Sequence, residues 1–265
     1  VIPDILELQL ELRTQRRPYV MATVVEILGS SSAKPSAKAL IDHTGRIIAG
    51  WVGGGCAQSM TVSAAKESLT DGAPRMIEID LNDEIFGAGM PCGGSMRVYI
   101  EPVLPRPQLW LVGHGRILEH LCEFAYSLGF EIAVNDPQAT AERFPKAIRI
   151  INDDNRYQQL QPLPGDYVVI ATHHKGDYDS LSQSLKSATH YIALVSSRTR
   201  SKLVLSRLEQ EGFPAAELAK VRAPAGLNIG AKLPEEIALS ILSEMVLVRR
   251  GGSGEPLSKS PSQLK

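Results

Sequence analysis

Gln108-Leu109-Trp110-Leu111-Val112-Gly113-His114-Gly115-Arg116-Ile117-Leu118-Glu119-His120-Leu121-Cys122 is the stretch on which the fold class turns. Gln108 to Val112 is a short, almost wholly apolar run, which reads as a strand buried on both faces. Two glycines break it, and a helical pattern follows from Arg116 to Leu128, stopped by Gly129. Ile117, Leu121, Ala125 and Leu128 share the apolar face of that helix with Cys122. Glu131 to Asn135 reads as the next strand, ending at Asp136-Pro137, so the segment is one complete strand–helix–strand unit of a parallel sheet.

Downstream, Asp166 to Ala171 and His190 to Val195 are two further apolar strands. Helices are expected at Tyr178 to Lys186, Thr199 to Glu211 and Pro234 to Val248, the last opened by a proline and two glutamates. This alternation predicts an α/β fold, a Rossmann-type parallel-sheet domain over 104–250, followed by a disordered Gly/Ser/Pro/Lys tail over 251–265. Upstream, Pro102, Pro105 and Pro107 mark a stiff linker. Before it, residues 1–103 read as a smaller α+β domain. It has a first helix carrying Ile5, Leu8 and Leu12, a β-meander over Tyr19 to Leu28, Ala37 to Ile41 and Arg46 to Trp51, and a helix running to Leu69. Two strands, Arg75 to Asp80 and Ser95 to Val103, flank an irregular loop ending Cys92-Gly93-Gly94.

Composition narrows the function classes. With 265 residues, 43% hydrophobic and 22% charged, the chain supports a large core. A formal charge of -1 gives no global attraction to nucleic acid or anionic membranes, so any anion binding must be local. No apolar run is long enough to span a bilayer, and the first residues lack the basic-then-apolar layout of a signal peptide. Three cysteines without a CxxC pair fit reduced thiols and a cytoplasmic setting.

The Gly113-His114-Gly115 turn opens a helix directly after a strand, where backbone N–H groups can face a diphosphate. Leu118 stands where the dinucleotide fingerprint has a small residue, which counts against ordinary NAD binding. Asp136, 23 positions after Gly113, is placed to accept ribose hydroxyls. Thr172-His173-His174 and Ser196-Ser197-Arg198 follow strands and so lie at the carboxyl edge of the sheet. Ser196 or Ser197 can cap the next helix, while Arg198 reads equally as a phosphate clamp and as a solvated surface charge. Cys56, after Gly53-Gly54-Gly55, lies at a helix N-terminus that favours thiolate, and Cys92 lies beside Gly93-Gly94. Both can expose sulfur to a soft metal, whereas Cys122 reads as a core residue.

Gly53-Gly54-Gly55-Cys56, Pro91-Cys92-Gly93-Gly94, Gly113-His114-Gly115 and the segment Pro224-Ala225-Gly226-Leu227-Asn228-Ile229-Gly230-Ala231 occur here in this order. Together with Tyr191 to Arg198 and Pro234 to Ala238, they make the chain resemble the XdhC/CoxI family from about Tyr19 to Val248. The resemblance implies an accessory protein that binds molybdenum cofactor, of molybdopterin type with or without an added nucleotide, and assists its sulfuration and insertion into a molybdenum hydroxylase. It implies a hydroxylase client and a cysteine desulfurase as partners, leaves a homodimer open, and puts Cys56 and Cys92 at the molybdenum end. Gln58 stands where the family often has an acidic residue, which weakens any acid-assisted step there. The alternative is an NAD(P)-dependent oxidoreductase using the same crevice with His173 or His174 as acid/base.

Overall fold

The computed structural model describes residues 4–29, 31–81, 94–172 and 176–259, and the chain divides into two units, Val1–Pro105 and Arg106–Lys265. In the first unit, α1 (Ile5–Thr14) is capped by the Asp4 side chain and precedes β1 (Tyr19–Gly29), β2 (Lys38–Asp42) and β3 (Ile47–Gly50). Helix α2 (Gly55–Asp71), β4 (Arg75–Asp80) and β5 (Gly94–Val103) complete it. The strands form an antiparallel sheet in the order β3-β2-β1-β5-β4. Central β1 is buried on both sides because its alternating side chains have different partners. Val20, Ala22 and Val24 pack with Ala57, Ala64 and Ala65 of α2, while Tyr19 and Met21 pack with Leu12 of α1.

The second unit contains β6 (Gln108–Gly113), α3 (Arg116–Ser127), β7 (Glu131–Asn135), β8 (Ala147–Ile151), β9 (Tyr167–Ala171) and α4 (Asp177–Ser184). It continues with β10 (Tyr191–Leu194), α5 (Arg198–Gln210), the short α6 (Ala215–Leu218), β11 (Val221–Arg222) and α7 (Pro234–Arg250). All six strands are parallel, in the order β11-β10-β9-β6-β7-β8. On one face Leu109 and Leu111 of β6 join Leu118, Leu121, Cys122 and Ala125 of α3 and Ile241 and Met245 of α7. On the other, Trp110 and Val112 join Leu181 of α4 and Val204 and Leu208 of α5. Burial on both faces is why β6 has no polar alternation.

Three elements depart from the expected pattern. Strands β8 and β11 and helix α6 are additional to it, and no helix lies between β7 and β8, so the strict strand–helix alternation breaks there. Strand β8 is an edge, with Ile148 63% exposed and the Arg149 guanidinium over the Trp110 ring, so its residues lack the apolar signal of a central strand. The buried stripe of α3 also differs: Leu118 is in it, while Leu128 caps the helix and is exposed. The described part of the segment after Arg250 carries a 3₁₀ turn, Leu257–Lys259. No helix among the described residues is long and apolar enough to cross a membrane.

Candidate functional site

In a doubly wound sheet, ligands collect at the carboxyl ends of the strands where the strand order reverses. Here the reversal lies between β6 and β9, because the chain leaves β6 towards β7 and β8 and then returns to β9, β10 and β11 on the other side. The carboxyl ends of β6, β7, β9 and β10 carry Gly113-His114-Gly115, Asp136, Thr172 and Ser196-Arg198, so the fold gathers these sequence-predicted residues along one edge.

Gly113 has φ +116° and pairs with Ala171, and a Cβ there would collide with the Ala171 carbonyl oxygen. The close approach of β9 thus requires this glycine whether or not a phosphate binds. Gly115, φ +105°, is the N-cap of α3 and offers no side chain to the helix N-terminus. His114 Nδ1 lies 3.0 Å from Asp136 Oδ1, which also accepts the Gln138 N–H at 2.8 Å. One oxygen of the buried Asp136 carboxylate, Oδ1, is thus engaged by the His114 ring and the Gln138 N–H. Beside it Asn135 donates to Asp154 at 3.2 Å, and its buried Oδ1 has no partner among the described residues. Burial opposes ionisation of Asp154, but hydrogen bonds from Gln159, Asn135 and Gln158 outweigh it and hold the carboxyl below its ordinary range.

The Thr172 hydroxyl donates to Asp177 at 2.6 Å and accepts the Gly176 N–H at 3.2 Å, while Arg200 meets the other Asp177 oxygen at 3.2 Å. Thr172 thereby fastens the end of β9 to the start of α4, and Asp177 fastens α4 to α5. His173, together with His174, lies outside the described residues. Tyr157, which sequence reasoning missed, is buried with its ring against Gly176, where a Cβ would collide with it. Burial, then the nearby carboxylates of Asp136 and Asp177, push its phenol up to about 12. The only sequence cue was the glycine at 176, whose partner is 19 residues away.

Ser197 caps α5 by accepting the Arg200 N–H at 3.2 Å, and Ser196 shares a 2.8 Å hydrogen bond with Ser201. Ser196 and Arg198 line a cavity of about 450 Å³ whose other walls are the loop 224–231 and the first turns of α7. That loop is fastened at three points. Ala225 N–H donates to the Leu194 carbonyl at 3.1 Å, Leu227 N–H to the Ser240 carbonyl at 3.2 Å, and Gly226 N–H to Glu244 at 2.9 Å. Glu244 also accepts the buried Tyr191 hydroxyl at 2.6 Å, and burial together with that carboxylate keeps the phenol protonated well above its usual range.

In the first unit, Gly53 (φ +122°), Gly54 and Gly55 (φ +53°) turn β3 into α2. Gly54 and Gly55 are exposed, and among the described residues an added Cβ would meet nothing within 4 Å at either. Helix α2 has no side-chain cap and no acidic residue in its first turn, and half-buried Cys56 lies in that turn. Gly94 begins β5, where its carbonyl accepts the Leu81 N–H at 2.8 Å. Cys92 and Gly93 lie outside the described residues. Buried Cys122 has its thiol pushed up to about 11 by desolvation. No group of three or more His, Cys, Asp or Glu is placed to hold a metal among the described residues.

Family models match the chain twice: the XdhC Rossmann domain over residues 109–245, and the XdhC and CoxI family over residues 12–80. The chain belongs to the XdhC/CoxI family. It is 30% identical to YqeB of Escherichia coli over 94% of its own length and 47% of that protein. A Bacillus subtilis protein described as a probable xanthine dehydrogenase component is 32% identical over 59% of this chain and 47% of its own length. The molybdenum cofactor insertion chaperone PaoD of Escherichia coli is 24% identical over 92% of this chain and 88% of PaoD. The chain thus spans about half the length of the first two relatives. A crystal structure described as a xanthine dehydrogenase from Bacillus halodurans aligns with a TM-score of 0.49 at 24% identity, covering 96% of this chain and 97% of that one.

Proposed function

We propose that this member of the XdhC/CoxI family is a maturation protein that takes molybdenum cofactor as cargo and delivers it to a molybdenum hydroxylase. The observation that carries the reading is the pair of glycine turns, each leading into a helix whose N-terminus has no side-chain cap. A phosphate-bearing pterin suits such termini, because backbone N–H groups and the helix dipole stabilise an anion there. At the carboxyl end of β7 the unpartnered, buried Asn135 Oδ1 is an acceptor that a ligand N–H or hydroxyl can satisfy. Likeness to PaoD over most of both chains supports the same cargo.

Within this reading Gly113, His114 and Gly115 hold the phosphate end of the cargo, with His114 kept in place by Asp136. In the first unit, taken by itself, Cys56 and Cys92 are the sulfur groups suited to a soft metal or to sulfur handling. A cysteine sulfur is a soft donor and a competent sulfur carrier. A cysteine desulfurase supplying sulfur and a hydroxylase receiving the cargo are the partners this chemistry requires.

The test is anaerobic titration of the purified chain with released molybdenum cofactor, followed by transfer to an apo-hydroxylase. Saturable binding and client activation are expected, with Cys56→Ser lowering molybdenum retention while the thermal melt stays unchanged. Absence of both binding and transfer overturns the reading. Turnover of NAD(P)H with a small substrate would replace it with an oxidoreductase.

A further inference from the structure

A second cavity, of about 170 Å³, lies beneath the amino end of β10, where the ends of α4, α6 and α7 come together. Ligands of open α/β sheets collect at the carboxyl edge, and this cavity shares no residue with those gathered there. Its charges are unequal. Glu217 is occupied by Lys220, whose Nζ donates to it at 2.7 Å, so these two lining residues cancel. Arg222 remains, and its guanidinium has no hydrogen-bond or ion-pair partner among the described residues. The Ser187 and Thr189 hydroxyls, also in the lining, make no hydrogen bond among the described residues, which leaves two further donors in the same cavity. Leu185, Ile192 and Val248 give the lining an apolar side, and the exposed His190 stands at its rim.

One uncancelled positive charge suits a monoanion, and a planar guanidinium with two hydroxyls suits the paired oxygens of a carboxylate. A doubly charged oxyanion would meet the Glu217 charge with a single free cation to balance it. The volume is below the roughly 300–1,000 Å³ of drug-sized sites and corresponds to about six water-sized groups at roughly 30 Å³ each. We propose that this cavity binds a short-chain aliphatic monocarboxylate, with the carboxylate on Arg222, Ser187 and Thr189 and the tail against Leu185, Ile192 and Val248. The chain end of a polypeptide fits less well. Its carboxylate comes with a neighbouring N–H that needs an acceptor, and the one side-chain carboxylate in the lining is already engaged by Lys220. No residue assigned above to cofactor handling lines the cavity, so this site does not depend on that function.

Calorimetry on the full chain, with NMR of the His190 ring as a second readout, tests the site. The separate probes are butyrate, n-butanol, sulfate and a short peptide ending in valine with a free carboxyl group. Saturable binding of butyrate is expected, with n-butanol and sulfate roughly tenfold weaker or more, because one lacks the charge and the other the apolar tail. Arg222→Ala should weaken butyrate roughly 10- to 100-fold, the scale of a lost charge-assisted contact. Ala188→Trp, which fills the cavity from its exposed rim, should abolish binding. Lys186→Ala, which removes an exposed charge outside the lining, should leave it unchanged, showing that net charge is not the cause. Loss of butyrate binding in Arg222→Ala and Ala188→Trp with unchanged thermal melts supports the proposal. No saturable binding of butyrate overturns it, as do wild-type affinities in both variants. Sulfate binding as tightly as butyrate would reduce the site to a general anion contact, and tighter binding of the peptide would make it a docking point for a chain end. Either result overturns the monocarboxylate assignment.

Discussion

The chain turns a strand into a helix through glycines twice, at Gly53-Gly54-Gly55 and at Gly113-His114-Gly115, and the glycines serve different ends. At the second turn, Gly113 is required by the sheet, because β9 lies against it. At the first, no atom of the described residues lies within 4 Å of where a Cβ of Gly54 or Gly55 would stand. One motif type therefore reports packing in one unit and an open helix terminus in the other, a distinction that spacing alone does not make.

Adding a methyl group to each turn separates the two roles. Gly113→Ala should cost about 3 kcal/mol or more, or prevent folding, since it combines positive φ with a backbone collision. Gly54→Ala, at φ -94°, should change stability by less than about 1 kcal/mol and affect only ligand retention. Urea denaturation of the two variants decides, and equal losses would mean that both turns are packing features.

The next effect concerns the loop of the second unit. Glu244→Ala should destabilise by roughly 2–3 kcal/mol, because it strands the Tyr191 hydroxyl and the Gly226 N–H together. Glu244→Gln should recover part of that loss, and no difference between the two variants in thermal melts would show that the carboxylate does not anchor the loop. Asp136→Ala should cost about 1–2 kcal/mol by removing the shared acceptor of His114 and Gln138. The imidazole Nε2 signal of His114 in NMR should shift, and an unchanged ring environment would sever the link between β7 and the α3 turn.

The smallest effect is a pH dependence carried by Cys122. Its thiol ionises at about 11 when folded against an ordinary 9.0, so the unfolded chain loses that proton first as pH rises. The associated stability is fully present below pH 9 and is lost on going up through about 11. Tyr157 and Tyr191, whose phenols are also raised, steepen the same alkaline loss from their ordinary value of 10.0 upward. Cys122→Ala should flatten the onset above pH 9 in chemical denaturation, and an unchanged slope would place the thiol in water.

Elements whose signal is local are legible in the sequence alone. The apolar run of β6, the glycines after it, the amphipathic α3, the Ser197 cap of α5 and the proline-opened α7 are each specified within a few residues. So are the core character of Cys122 and the position of Ser196 and Arg198 after a strand end. Features created by pairing at a distance are not legible in this way. Strand β8 is an edge held by β7 alone, and β11 is two residues long and exists through its pairing with β10. Tyr157 gains its place from Gly176, and the loop 224–231 becomes a cavity wall only where Glu244 and Ser240 of α7 hold it over the end of β10. Even Asp136, placed correctly at a strand end, has its carboxylate turned to His114, 22 residues earlier in the chain. Local chemistry can say that a residue is polar and sits at a turn, but its hydrogen-bond partner is set by which strands lie side by side, and that is a property of the whole folded sheet.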